Sequence, residues 1–145
     1  MKTLALNPSG EMPMIGAKRA YDRVLRTDGR RFLVERLWPR GISKAKLSVE
    51  AWLKEVAPST DLRQWFGHDP EKWDEFRRRY RRQLDAHPET WQSIVAAGRR
   101  GPVTLIYSAH DTEHNNAIVL REYLKAKLPR PARRASAYQA RRVSR

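Results

Sequence analysis

The chain has 145 residues, enough to bury a core without disulfides or metal, and a composition of 40% hydrophobic and 32% charged residues. It contains no cysteine, which excludes disulfides, thiolate zinc sites, iron–sulfur clusters and cysteine nucleophiles. Its net charge is +14, but the segment from Pro129 to Arg145 holds six arginines (Arg130, Arg133, Arg134, Arg141, Arg142 and Arg145) and no acid, so +8 remains on residues 1–128.

Residues 1–14 read as a flexible leader. They lack the continuous apolar core of a signal peptide, and Lys or Arg interrupts every apolar stretch of the chain, so no membrane span and a cytoplasmic location are expected. Ile15 to Tyr21 is a weak strand candidate, followed by a turn at Thr27-Asp28-Gly29. Arg31 to Leu37 is a better strand, rich in β-branched and aromatic residues, and Pro39 and Gly41 stop it. Ser43 caps at most one helical turn. Val49 to Val56 is ambiguous between helix and strand, and its length of eight residues favours strand.

Pro58-Ser59 opens a short helix that ends before Gly67. Asp69-Pro70 opens a longer one: Asp caps well, and Pro suits the first helical position, where no N–H is needed. Trp73, Phe76, Tyr80 and Leu84 then recur at helical spacing as an apolar stripe. The run Arg77-Arg78-Arg79-Tyr80-Arg81-Arg82 reads as a solvated face, since Glu71, Asp74 and Glu75 lie one turn earlier. Pro88 starts a third helix, ending between Gly98 and Gly101. Pro102 to Tyr107 is a continuous apolar run, the pattern of a central parallel strand buried on both faces. The last helix is expected over Glu113 to Leu128, with Ala117, Leu120, Leu124 and Leu128 on one side and Asp111 or Thr112 as its cap. Residues 129–145 are too poor in apolar side chains to order and read as a disordered tail. The whole predicts an α/β domain over residues 15–128, three-layered, with a mainly parallel sheet and helices on both faces.

Ligands bind such sheets beyond the carboxyl ends of the strands, so the loops there matter most. After the second strand come Arg36, Trp38 and Arg40. Guanidinium groups make paired bonds to phosphate or carboxylate, and Trp can wall a pocket; the plain alternative is a core Trp with arginines paired to acids. After the buried strand comes the densest polar cluster, Ser108 to Asn116. Here His110 or His114 could act as the acid–base group, with Asp111 and Asn115 beside His114 at a helix start. His68 and Asp69 are further candidates, although caps are the commoner role for such a pair. His110 and His114 lie four apart with no third ligand evident, so no metal site is expected, and no cofactor motif is present. A small anionic ligand is the preferred partner. The alternative is weak, sequence-independent nucleic-acid binding through the basic tail.

These residues bring a resemblance into view. Lys18-Arg19-Ala20-Tyr21-Asp22, Leu33 to Gly41, Ala57-Pro58-Ser59, Trp65 to Pro70, and His114-Asn115 with Ala117 and Val119-Leu120 follow in order from Lys18 to Leu128. In this they resemble the YeaO-like branch of the bacterial family called domain of unknown function 488. The resemblance implies a small α/β protein of the bacterial cytosol, and it implies no particular reaction. The residues matching its motifs are Arg36, Trp38, Arg40, His68, Asp69, Asp111, His114 and Asn115. The sequence departs from the pattern at His110, where Lys is commoner, and at Asn116, where His is commoner.

Overall fold

The structure, a computed structural model, describes residues 15–128; the leader and the arginine-rich tail lie outside the described residues. Four strands, β1 (Ile15–Arg19), β2 (Arg30–Leu33), β3 (Ala51–Trp52) and β4 (Val103–Tyr107), form one sheet in the order β1-β4-β2-β3. Every pairing is parallel. The central position expected for Val103–Tyr107 is observed: all five residues are buried, and both edges pair, with β1 and with β2.

Five helices connect and flank the strands: α1 (Lys44–Leu47), α2 (Thr60–Phe66), α3 (Trp73–Ala86), α4 (Gln92–Gly98) and α5 (Asn116–Lys125). They cover the two faces unequally. Ile15, Phe32, Val34, Val103, Leu105 and Tyr107 alternate onto one face and join a large core with Leu62 and Phe66 of α2, Phe76, Tyr80 and Leu84 of α3, Ile94 of α4, and Leu120 and Leu124 of α5. The other face carries Ala20, Leu33 and Ile106, which pack on Leu47 of the one-turn α1 and on Trp38, Ile42, Val49 and Trp52. Among the described residues no helix is long and apolar enough to cross a membrane.

Side-chain caps set several boundaries. The Ser43 hydroxyl accepts from the Lys46 N–H and opens α1, which ends after one turn at Ser48 in the left-handed region. Ser59 accepts from the Leu62 N–H, and Gly67 ends α2 in the left-handed region. Asp69 accepts from the Glu71 N–H and opens a 3-10 turn, Pro70–Lys72, which runs into α3. On α3 the solvated-face reading of the arginines is observed: Arg78 and Arg79 both bond Glu75, and Arg77 reaches Asp74.

Four expectations need correcting. β2 ends at Leu33 rather than Leu37, because the Glu35 carbonyl accepts from the Trp52 indole N–H (2.6 Å) instead of a neighbouring strand. Only Ala51–Trp52 of the Val49–Val56 segment is strand; Lys54–Val56 is a 3-10 turn. The helix expected from Pro88 is a 3-10 turn, Pro88–Thr90, broken at Trp91 before α4. Finally, α5 starts at Asn116 and its cap is Asn115, whose side-chain oxygen accepts from the Ile118 N–H. Asp111 is not the cap: it is already saturated by the N–H groups of Glu113 and His114, in a turn that precedes the helix.

Candidate functional site

The strand order creates a crevice. From β2 the chain runs to α1 and β3, away from β4. From β4 it runs to α5, which packs on β1 and β4. The two outgoing connections therefore diverge between β2 and β4, at a point where the strands also end in register, Leu33 beside Ile106. A cavity of about 170 Å³ opens there. It is lined by Glu35, Arg36 and Leu37 after β2, by Ser108, Ala109, Asn115 and Asn116 after β4, and by Arg63, Phe66, His68 and Phe76 from the helical layer.

A clasp closes the floor of this crevice. One oxygen of Glu35 accepts from the Ser108 hydroxyl (2.6 Å) and the other from the Ser108 N–H (3.0 Å). Arg36 lies beside it. Its Nε donates to the Pro58 carbonyl (2.9 Å), and its Nη1 stands 3.5 Å from Glu55, an exposed carboxylate. Asn116 donates to the Val34 carbonyl (2.8 Å). Behind the cavity, Tyr80 is fully buried and donates to the Val56 carbonyl; burial pushes its phenol well above the ordinary range, so it stays protonated.

His68 reaches the cavity through an unusual backbone. Its φ is +59°, directly after Gly67 at +53°, so two successive left-handed residues turn the chain out of α2. A non-glycine residue in that region is uncommon, though His is among the types that tolerate it. The ring lies 6.1 Å from Phe66, a cavity residue. Arg63, one turn earlier, is exposed and has no carboxylate partner among the described residues.

The structure distributes the candidate residues over three places. Arg36, His68 and Asn115 line the small cavity. Trp38 and Arg40 line a separate basin on the far side of Leu37. Trp38 is held there structurally: its indole N–H donates to the Ile42 carbonyl, and its ring meets Trp52 edge-on at 5.3 Å. Asp111 and His114 form a pair of their own, with Nδ1 3.0 Å from the carboxylate and the imidazole 5.1 Å from Trp73. Neither lines the small cavity or the basin. The Glu113 N–H, and then the His114 side chain and N–H, hold the Asp111 carboxyl below its usual range. Asp69 is occupied as a cap. Among the described residues there is no group of three or more His, Asp or Glu with metal-binding geometry.

Sequence reasoning missed Glu35 and Arg63 as cavity residues, while Ser108 belongs to the polar cluster it singled out. Glu35 carried a signal: it is the first acid after the apolar run of β2, at the strand end where the crevice forms.

Residues 14–141 match the family described as the inactive DUF488-N3 subclade. The chain belongs to this family. It is 40% identical over 112 residues to the uncharacterized protein YeaO of Escherichia coli, a match that covers 77% of this chain and 97% of YeaO. It is 37% identical over 109 residues to an uncharacterized protein of Mycobacterium tuberculosis, covering 75% of this chain and 92% of that one. No solved structure matches the chain.

Proposed function

We propose that this DUF488-family protein binds a small anionic ligand, a phosphate or short carboxylate, in the crevice between β2 and β4. The observation that carries the reading is the charge on the cavity wall. Arg36, Arg63 and His68 line it, and both oxygens of its one carboxylate, Glu35, are engaged by Ser108. Arg36 spends Nε and Nη2 on backbone carbonyls, and an anion would compete with the exposed Glu55 carboxylate, 3.5 Å away, for Nη1. At about 170 Å³ the cavity falls below the roughly 300 Å³ at which sites for drug-sized ligands begin, which favours a ligand of few atoms.

Binding is favoured over turnover. The subclade is described as inactive, and His114, the residue the sequence offers as acid–base group, is engaged with Asp111 outside the cavity lining. A cytoplasmic location belongs to the same proposal, and fractionation of cells carrying a tagged chain checks it. The binding test is calorimetry with inorganic phosphate and acetate on the full chain. Arg63→Ala is the cleanest variant because its side chain is exposed and makes no structural bond among the described residues. It should weaken the bound anion about tenfold, the size of one lost charge-assisted hydrogen bond. Anion binding unchanged in both Arg63→Ala and Arg36→Lys would remove the reading.

A further inference from the structure

The basin beyond Leu37 differs from the small cavity in every property that matters to a ligand. It measures about 560 Å³ and is lined by Arg19, Tyr21, Leu37, Trp38, Pro39, Arg40, Ser108 and His110, with no carboxylate. Leu37 and Ser108 belong to both hollows and form the wall between them.

We infer that this basin binds the phosphate-and-base unit of a nucleotide. Its frame is rigid. Arg19 is tied by Nε to the Ala109 carbonyl (2.8 Å) and by Nη2 to the Ser108 carbonyl (3.2 Å), and its guanidinium lies 5.0 Å from the Tyr21 ring. The Tyr21 hydroxyl donates to the Arg40 carbonyl (3.0 Å), which fixes the loop after β2 against the end of β1. Trp38 is locked by its bond to Ile42. Against this fixed frame, the side chains of Arg40 and His110 have no partner among the described residues and are exposed. Two apolar surfaces are left open in the same hollow, Tyr21 at 45% and Leu37 at 65% exposure.

An unpaired guanidinium and imidazole beside open aromatic and aliphatic surface, with no acid in the lining among the described residues, are the combination that nucleotide recognition uses: guanidinium for the phosphate, a ring face for the base. A bare phosphate would leave the Tyr21 and Leu37 surfaces uncovered, and an apolar ligand would leave the Arg40 and His110 side chains unused. The basin is open to solvent, so a ligand there would lie across its surface rather than be enclosed. The unit can come from a free mononucleotide or from a single strand.

The experiment titrates the full chain with AMP, ribose 5-phosphate and a twelve-nucleotide single strand, following tryptophan fluorescence. Arg40→Ala should weaken AMP, the single strand or both about tenfold. Arg78→Ala removes the same charge from α3, where Arg78 is already paired with Glu75, and should leave binding unchanged. Tyr21→Ala should weaken AMP while sparing ribose 5-phosphate, which has no base. Selective loss of AMP binding identifies a free nucleotide as the source; selective loss confined to the strand identifies nucleic acid. The inference is overturned if neither probe binds, or if Arg40→Ala and Arg78→Ala weaken binding equally. Arg63→Ala separates this site from the small cavity: it should reduce inorganic phosphate binding and leave AMP untouched.

Discussion

Replacing Asp28 by Asn tests the polar half of the core. Asp28 is 6% exposed and accepts from three groups: Lys18 Nζ at both oxygens (2.9 and 3.1 Å), Arg31 Nη1 (2.8 Å) and the Leu25 N–H (3.0 Å). Arg31 is itself buried, and its other donors go to the Ser48 and Leu47 carbonyls. An Asn at position 28 keeps the shape but leaves Arg31 without a counter-charge and turns an amide N–H₂ toward donors. Breaking a buried pair from one side costs about 3–5 kcal/mol, a large share of the roughly 5–15 kcal/mol that holds a domain folded. Urea unfolding at neutral pH, followed by fluorescence of the five tryptophans, measures the loss. The pH dependence gives a second handle. Burial pushes the Asp28 carboxyl up, but the Leu25 amide, Lys18 and Arg31 together outweigh it and hold its pKa below the ordinary value. A folded-state pKa below the unfolded one contributes stability that is complete above the unfolded value of about 4 and is lost as pH falls through the folded value. The gap between wild type and Asp28→Asn should therefore be constant above about pH 5 and shrink below about pH 4. A loss under about 1 kcal/mol at neutral pH, or a gap that does not change on acidification, would refute the reasoning.

Gly29→Ala should destabilise the fold by about 2–4 kcal/mol in thermal melts, since φ is +67° and a Cβ would sit 2.2 Å from the Pro102 carbonyl oxygen; a melt within error of wild type would contradict this. Asn115→Ala removes the cap of α5 and the bond to the Asp111 carbonyl, and should cost about 1–2 kcal/mol, with faster amide exchange at Ile118 as its local sign. Glu35→Gln keeps the size of the clasp residue and removes the only negative charge on the cavity wall. Phosphate binding should strengthen about two- to tenfold at low salt and by less at 0.15 M; weaker binding would mean that the carboxylate serves the ligand rather than opposing it.

The parts of the fold legible in the sequence are those governed by a single strong period or a local cap. The stripe Trp73, Phe76, Tyr80, Leu84 repeats at 3.6 residues and is α3, with Phe76, Tyr80 and Leu84 buried as the spacing requires. Val103–Tyr107 has no polar interruption except Thr104, whose hydroxyl is satisfied by the Asp28 carbonyl, so a strand buried on both faces was readable. What was not readable depends on contacts distant in sequence. The end of β2 is set by an indole 17 residues away. The start of α5 is a different case: Asp111 and Asn115 both accept from nearby N–H groups and composition alone cannot rank them as caps, while Asn116 reaches the Val34 carbonyl 82 residues away. The same holds for the candidate site. The rule that ligands meet the carboxyl ends of parallel strands located the two loops, but whether their side chains face one hollow or two depends on Leu37, an exposed residue with no chemistry of its own.

The Glu35–Ser108 clasp links these observations. It joins the loop after β2 to the loop after β4 with two bonds, and both loops supply walls to both hollows. For the ligand we propose, a clasp of this kind would fix the surrounding groups in advance and lower the ordering cost of binding. It also engages the Ser108 hydroxyl with a carboxylate at the floor of the crevice, while the imidazole of His114 is engaged with Asp111 outside it. A nucleophile needs a base within hydrogen-bond reach and a substrate position beside both. The Glu35–Ser108 pair meets the first of these conditions, and the anion we propose would sit beside it among the guanidinium and amide donors of the same cavity. His68 also lines this cavity, so the crevice holds a carboxylate-bound hydroxyl, guanidinium groups and an imidazole together, while His114 stands apart with Asp111.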